Sequence, residues 1–289
     1  MGGNWGASGG FFADADFDYE ARIVLGAAAS GIGDVGLVLA TLDRVTDGDP
    51  QSWFDAWTQM AADLTARGDE ALRRSHPETA SWAFLAAAEY YAKALVFVDG
   101  LADQSVLLPT FREGRSCWEQ VVDASQGRSV RMQVPNEDTL LPGYLLRPDD
   151  TGAARPTLVM INGSDGSLPG MVGYGAAEAI GRDWNVFLFA VLAPVIDFLA
   201  ERRDVNSSAL TGYGISQGGY WITRALAFER RMVAAVADPR VVDVVGPITT
   251  PNFHCQPTGR RLTHTQMLDW LADHLPARQA ADVSPARRP

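Results

Sequence analysis

Gly214-Ile215-Ser216-Gln217-Gly218-Gly219 joins the apolar run SALTGYGI to the amphipathic run GGYWITRALAFE. A serine flanked two residues away on each side by glycine, between a strand and a helix, specifies a sharp turn that lifts its hydroxyl above a sheet edge. Larger side chains at 214 and 218 would collide with that turn. The following helix would place its N-terminus, with unsatisfied N–H groups and a positive dipole end, beneath the hydroxyl. This pattern makes Ser216 a candidate nucleophile and the Gln217 N–H a candidate donor to a developing oxyanion.

The surrounding pattern fits that geometry. From residue 126 onward, strand-like runs (SVRMQV, LLPGYLL, TLVMIN, NVFLF, SALTGYGI, MVAAVAD) are followed by helical ones (AAEAIG, AVLAPVIDFLAER, GGYWITRALAFE, LTHTQMLDWLADHL). Such alternation implies an α/β class and a mainly parallel sheet with helices on both faces. Residues 1–125 read as mostly helical. Asp34 caps one expected helix, and Asp49-Pro50 opens another, with proline at the first helical position. Ser75 with Glu78 reads as a capping box for a third. Trp53, Trp57, Trp82, Tyr90 and Tyr91 recur at helical spacing, which predicts core positions, while a cap lining a substrate pocket would leave one or two of them exposed. The expected organisation is a helical unit at 1–125, a catalytic core at 126–276 and a disordered tail at 277–289.

Composition narrows the chemistry. The formal charge of −11 and pI near 4.8 oppose binding to phosphate backbones, so no nucleic-acid partner is expected. No apolar run approaches the ~20 residues that span a bilayer, so no membrane partner is expected either. The first twenty residues carry no basic region followed by an apolar run, so no secretory leader is read there. Cys117 and Cys255 lie far apart and offer neither a disulfide framework nor zinc-ligand spacing. Together these lead to the expectation of a cytoplasmic protein with no metal or organic cofactor, acting on a small molecule.

A serine nucleophile needs a base. His264 and His274 fall within the last helical run, whereas His254 lies in the loop PNFHCQP, after a short β-like segment, where a base can approach the elbow. For the acid, Asp238 ends the run MVAAVAD at the carboxyl edge of the sheet, where ligands bind; Asp243 is the fallback. A second oxyanion donor is expected from the loop after TLVMIN, at Gly163 or Ser164.

These stretches, with DGDPQSWFDAW, LPGYLLRP, INGSDGSLPGM, YGISQGGYWITRALAFE, VADPRVVDV and NFHCQP, resemble the α/β hydrolases with an N-terminal helical cap. That group includes dihydroxypseudooxynicotine hydrolase and the fungal polyketide-shortening hydrolases. The resemblance runs over most of residues 10–275. It implies an α/β-hydrolase fold with residues 1–125 as cap, Ser216 as nucleophile, His254 as base, and a homodimer. It also places Asp165 where an acidic residue serves carbon–carbon cleavage, and suggests a moderately apolar, polyketide-like or aromatic ketone or ester as substrate. The chain departs from the group in two places. NVFLF runs almost directly into the next helix, and only about seven residues separate VVDV from NFHCQP, so the segment that normally brings the acid is short.

Two other readings remain open from sequence. A member with an incomplete triad would be a binding or regulatory protein, and the same serine would also serve acyl transfer or lyase chemistry. The run ARIVLGAAASGIG mimics a dinucleotide fingerprint, but Gly26 and Gly31 are one residue too far apart, and no Tyr-x-x-x-Lys accompanies it.

Overall fold

The computed structural model describes residues 10–164, 166–189, 193–238 and 260–276. His254, Asp165, Asp243, Cys255 and the tail 277–289 lie outside the described residues. Five long or medium helices come first: α1 (Ala15–Ala29), α2 (Val35–Leu42), α3 (Pro50–Arg73), α4 (Pro77–Ala94) and α5 (Leu107–Ala124). Then follow β1 (Ser129–Asn136), β2 (Thr139–Leu146), β3 (Arg155–Ile161), α6 (Leu168–Met171), α7 (Ala177–Gly181), β4 (Asn185–Phe189), α8 (Ala193–Ala200), β5 (Val205–Ile215), α9 (Gln217–Leu226), β6 (Met232–Asp238) and α10 (Arg260–Asp273).

The strands form one sheet in the order β1-β2-β4-β3-β5-β6. β1–β2 and β2–β4 are antiparallel, and the other pairings are parallel. Side chains alternate between its two faces, as the two-residue period of a strand requires. Leu158 and Met160 of β3, with Val186 and Leu188 of β4, join the core that includes the N-terminal helices, α7 and α10. Val159, Ile161, Phe187 and Phe189 join the opposite core with Val195, Ile196 and Leu199 of α8 and Ile222 of α9. The helical N-terminal region therefore shares a continuous apolar core with one face of the sheet.

Local chemistry sets the helix boundaries. Asp34 and Asp49 cap α2 and α3 through their carboxylates, and Pro50 occupies the first turn, as expected. The capping box at Ser75 is not formed. Ser75 adopts φ 59° and ends α3, with Ser75 N–H on the Leu72 carbonyl and His76 N–H on the Ala71 carbonyl. That is a Schellman closure. Pro77 then starts α4, and the residue before a proline avoids helical angles, which leaves His76 at the N-cap position without a side-chain bond.

The glycine-rich run after α1 does the same work. Gly31 (φ 95°) follows the C-cap Ser30, with Ile32 N–H on the Ala27 carbonyl. Its glycines end a helix, whereas a dinucleotide loop needs them between a strand and a helix start. Trp53, Trp57, Tyr90 and Tyr91 are buried as expected, but Trp82 is 37% exposed. No described helix is long and apolar enough to cross a membrane.

Candidate active site

Ser216 stands between β5 and α9 at φ 53° and ψ −117°, a backbone conformation that L residues rarely adopt. Such strain costs on the order of 1–3 kcal/mol and persists only where the surroundings enforce it. Here they do. The Ser216 N–H donates to the Asp238 carbonyl at 2.7 Å, tying the turn to the end of β6, and the Gly219 N–H donates back to the Ser216 carbonyl at 2.9 Å. A Cβ on Gly214 would sit 2.3 Å from the Gly218 carbonyl oxygen, and one on Gly218 would sit 2.4 Å from the Ile161 carbonyl oxygen. Both obstacles are backbone, which cannot step aside, so the two glycines allow the turn to close against β3.

The loop after β3 meets the same serine. A Cβ on Gly163 would lie 2.8 Å from the Ser216 Cβ and 3.2 Å from its Oγ. Asn162 closes this loop: its Nδ2 donates to the Ser167 carbonyl at 2.8 Å, and its Oδ1 accepts the Gly163 N–H at 2.8 Å. Of the two donors left open by sequence, the Gly163 amide is thus already engaged. Gln217 is the first residue of α9, and its N–H is one of the first-turn amides without an intrahelical acceptor. Asp238 reaches the elbow through its backbone, and its carboxylate accepts a hydrogen bond of 3.3 Å from the Tyr213 hydroxyl.

Ser216 opens onto a cavity of about 160 Å³ walled by Asn162, Gly163, Gly166, Ser167, Gly170 and Ile215 on the sheet side. Tyr174 also lines it, and the N-terminal helices supply the rest: Tyr19, Glu20 and Ile23 from α1, and Glu89 and Lys93 from α4. Lys93 Nζ donates to Glu20 Oε2 at 3.0 Å. Ser167 Oγ donates to Glu89 Oε2 at 2.5 Å. Burial alone would lower the Lys93 pKa, but the charges of Glu20 and Glu89 and the bond to Glu20 outweigh it and raise it, so the ammonium stays charged. Sequence reasoning missed this cluster. Its one signal was a sole lysine within an alanine- and aromatic-rich helix.

A second, more apolar pocket of about 230 Å³ lies between α4, α5 and the 166–169 loop. It is lined by Ala88, Ala92, Leu95, Phe111, Trp118 and Leu168 among others, and it shares Gly166 and Ser167 with the first. Behind the first cavity, the buried Arg260 donates to the Tyr174 hydroxyl at 2.7 Å and lies over the Tyr174 ring. His264 is also buried (2% exposed), between the rings of Tyr174 and Tyr213. Burial first, and the Arg260 charge second, push its pKa down to about 3, so it is neutral. Among the described residues no cluster of three or more His, Cys, Asp or Glu side chains could hold a metal ion.

The chain is 28% identical to Hydrolase acrC of Aspergillus aculeatus, over 76% of this chain and 60% of that protein. It is 26% identical to the 20-hydroxy-prefusarin hydrolase of Gibberella moniliformis, over 78% of this chain and 61% of that one. It is 29% identical to Hydrolyase poxO of Penicillium oxalicum, over 79% and 62%. The chain thus spans about three-fifths of the length of these curated relatives. The crystal structure of the 2,6-dihydroxy-pseudo-oxynicotine hydrolase superposes with a TM-score of 0.62 at 15% identity, over 74% of this chain and 64% of that one. No protein-family model matches the chain.

Proposed function

We propose, for a chain that has the α/β-hydrolase fold and whose curated relatives are named as hydrolases, that it is a serine-dependent hydrolase of carbonyl substrates. The observation that carries this reading is the strained Ser216, held at φ 53° between a helix N-terminus and the glycines at 163, 214 and 218. An idle serine would not require a backbone so costly or a loop so closely fitted to it.

In the proposed mechanism, His254 takes the proton of the Ser216 hydroxyl as Oγ attacks the substrate carbonyl. The Gln217 N–H and an amide of the 163–164 loop hold the developing oxyanion. Collapse expels the leaving group, which takes the proton from His254. Water, activated by the same imidazole, then releases the acyl group from Ser216. Asp238 is the proposed acid that orients His254. Its position at the end of β6, bonded through its carbonyl to the Ser216 amide, supports that role. Asp165, which lies outside the described residues, is a proposed proton donor for a carbon leaving group, on the strength of the sequence resemblance alone. The apolar pocket next to the serine cavity supports a substrate with an apolar or aromatic arm, joined at its carbonyl to an alcohol or an enolisable carbon.

A second reading has its own support: Asp238 is already bonded to Tyr213, and β6 is the last described strand of the sheet. A chain without a working acid would keep the cavity as a binding or regulatory protein. Mass spectrometry after mixing with p-nitrophenyl esters separates these. A hydrolase shows a transient acyl adduct on Ser216 that is absent in Ser216→Ala and strongly reduced in His254→Ala. A binding protein shows none. Products formed with added alcohols distinguish hydrolysis from acyl transfer.

A further inference from the structure

We propose that Lys93 is a substrate-binding residue whose ammonium donates to a second oxygen of the substrate, so that preferred substrates are neutral carbonyl compounds bearing a further hydroxyl or carbonyl group. The inference rests on the hydrolase reading and names the substrate class for that site.

The case begins with donor accounting. An ammonium has three N–H donors. Among the described residues, Lys93 Nζ has one hydrogen-bond acceptor, Glu20 Oε2. The residue is only 8% exposed and lines the same cavity as Ser216. A buried, charged donor with unused N–H groups is costly unless a ligand or water completes it. The backbone around Lys93 is fixed, because its carbonyl accepts the Trp53 indole N–H at 2.8 Å. Its head group is therefore presented from a rigid helix.

Charge then selects the ligand. Glu20 and Glu89 supply two negative charges around the cavity. Lys93, with Arg260 close enough to act on it electrostatically, supplies two positive ones. A carboxylate entering here meets Glu20 and Glu89, and an amine meets Lys93, with the Arg260 charge acting from outside the lining. Among the described residues, neither finds a net counter-charge to offset its lost hydration. A hydroxyl meets both needs, accepting from Lys93 and donating to Glu89, whose Oε2 already holds the Ser167 hydroxyl.

A purely structural ion pair joining α1 to α4 would show the same contacts, so the test must read specificity. We compare p-nitrophenyl 3-hydroxybutyrate with the butyrate ester, and the 6-hydroxyhexanoate with the hexanoate. The proteins are the wild type and Lys93→Met/Glu20→Gln, which removes both partners of the Lys93–Glu20 ion pair together. Wild type should favour one hydroxylated ester at least ~10-fold in kcat/KM, through KM, as expected for a hydrogen bond to a charged group. The double variant should bring that ratio within twofold of unity while remaining folded by circular dichroism. Retention of the preference by the folded variant, or no preference in wild type, overturns the proposal. Labelling of Ser216 by a fluorophosphonate, run in parallel, reports separately on the hydrolase reading. If the serine proves inert, binding of the matching anilides by calorimetry carries the same comparison, with the same two outcomes.

Discussion

The turn at Ser216 and the aromatic core of α3 and α4 are stabilised by opposite means. In the core, Trp53, Trp57, Phe84 and Tyr90 fill space completely, with Trp53 and Trp57 centroids 5.7 Å apart and Trp57 and Tyr90 5.1 Å apart. Stability there comes from side-chain volume. At the turn, side chains are removed: Gly163, Gly214 and Gly218 let three backbone segments approach within distances that a single methyl would violate. One region stores energy in packing, and the other holds a strained residue in place. Substitutions should therefore separate folding from chemistry in opposite ways in the two places.

The largest separation is expected at the nucleophile. Ser216→Ala should lower ester hydrolysis by about 1,000-fold or more, with thermal stability unchanged to within about 1 kcal/mol in urea titrations. A comparable loss of stability would mean that the hydroxyl is a structural group and would erase the contrast. Gly218→Ala should damage both properties. Its new methyl meets the Ile161 carbonyl, so activity should fall at least ~100-fold and the unfolding midpoint should drop. A fully active, stable Gly218→Ala would show that the turn is looser than its contacts indicate.

In the core the expectation reverses. Trp57→Ala should cost about 3–5 kcal/mol in denaturant titrations, while the folded fraction keeps its reactivity toward ester substrates. His264 sharpens the contrast through pH. Its folded pKa near 3 lies below the ~6.5 of the unfolded chain, so unfolding takes up a proton as pH falls. The stability from this group is complete above about pH 6.5 and is lost progressively below it, by about 3 kcal/mol at pH 4. His264→Phe should flatten that part of the stability–pH curve, and an unchanged slope would mean the imidazole is not buried neutral. The smallest effect is expected at the half-exposed Trp82, where alanine should change stability by less than about 1 kcal/mol.

Local pattern carried much of this molecule. The short apolar runs TLVMIN and NVFLF, the paired glycines at 214 and 218, and Asp49-Pro50 are signals contained in a few neighbouring residues, and each became the expected element. Ser75 shows where local reading fails: Ser-x-x-Glu suits a helix start, but Pro77 and the end of α3 compete for the same residues and win. Trp82 failed because helical spacing identifies an apolar stripe without saying which part of it a neighbour covers. The Glu20–Lys93–Glu89 cluster was illegible for a different reason. Glu20 and Lys93 are 73 positions apart, and only the packing of α1 on α4 beside the 162–170 loop brings them to Ser216. The fold was read from periodicity, whereas the recognition chemistry depends on contacts made between distant elements.

The account stands on the reactivity of one hydroxyl. Incubation of the native protein with a fluorophosphonate, followed by peptide mapping, tests this directly. It should yield one adduct per chain, on Ser216, that disappears on prior denaturation and in His254→Ala. An unmodified Ser216 in folded protein, or a label distributed over other serines, would contradict it.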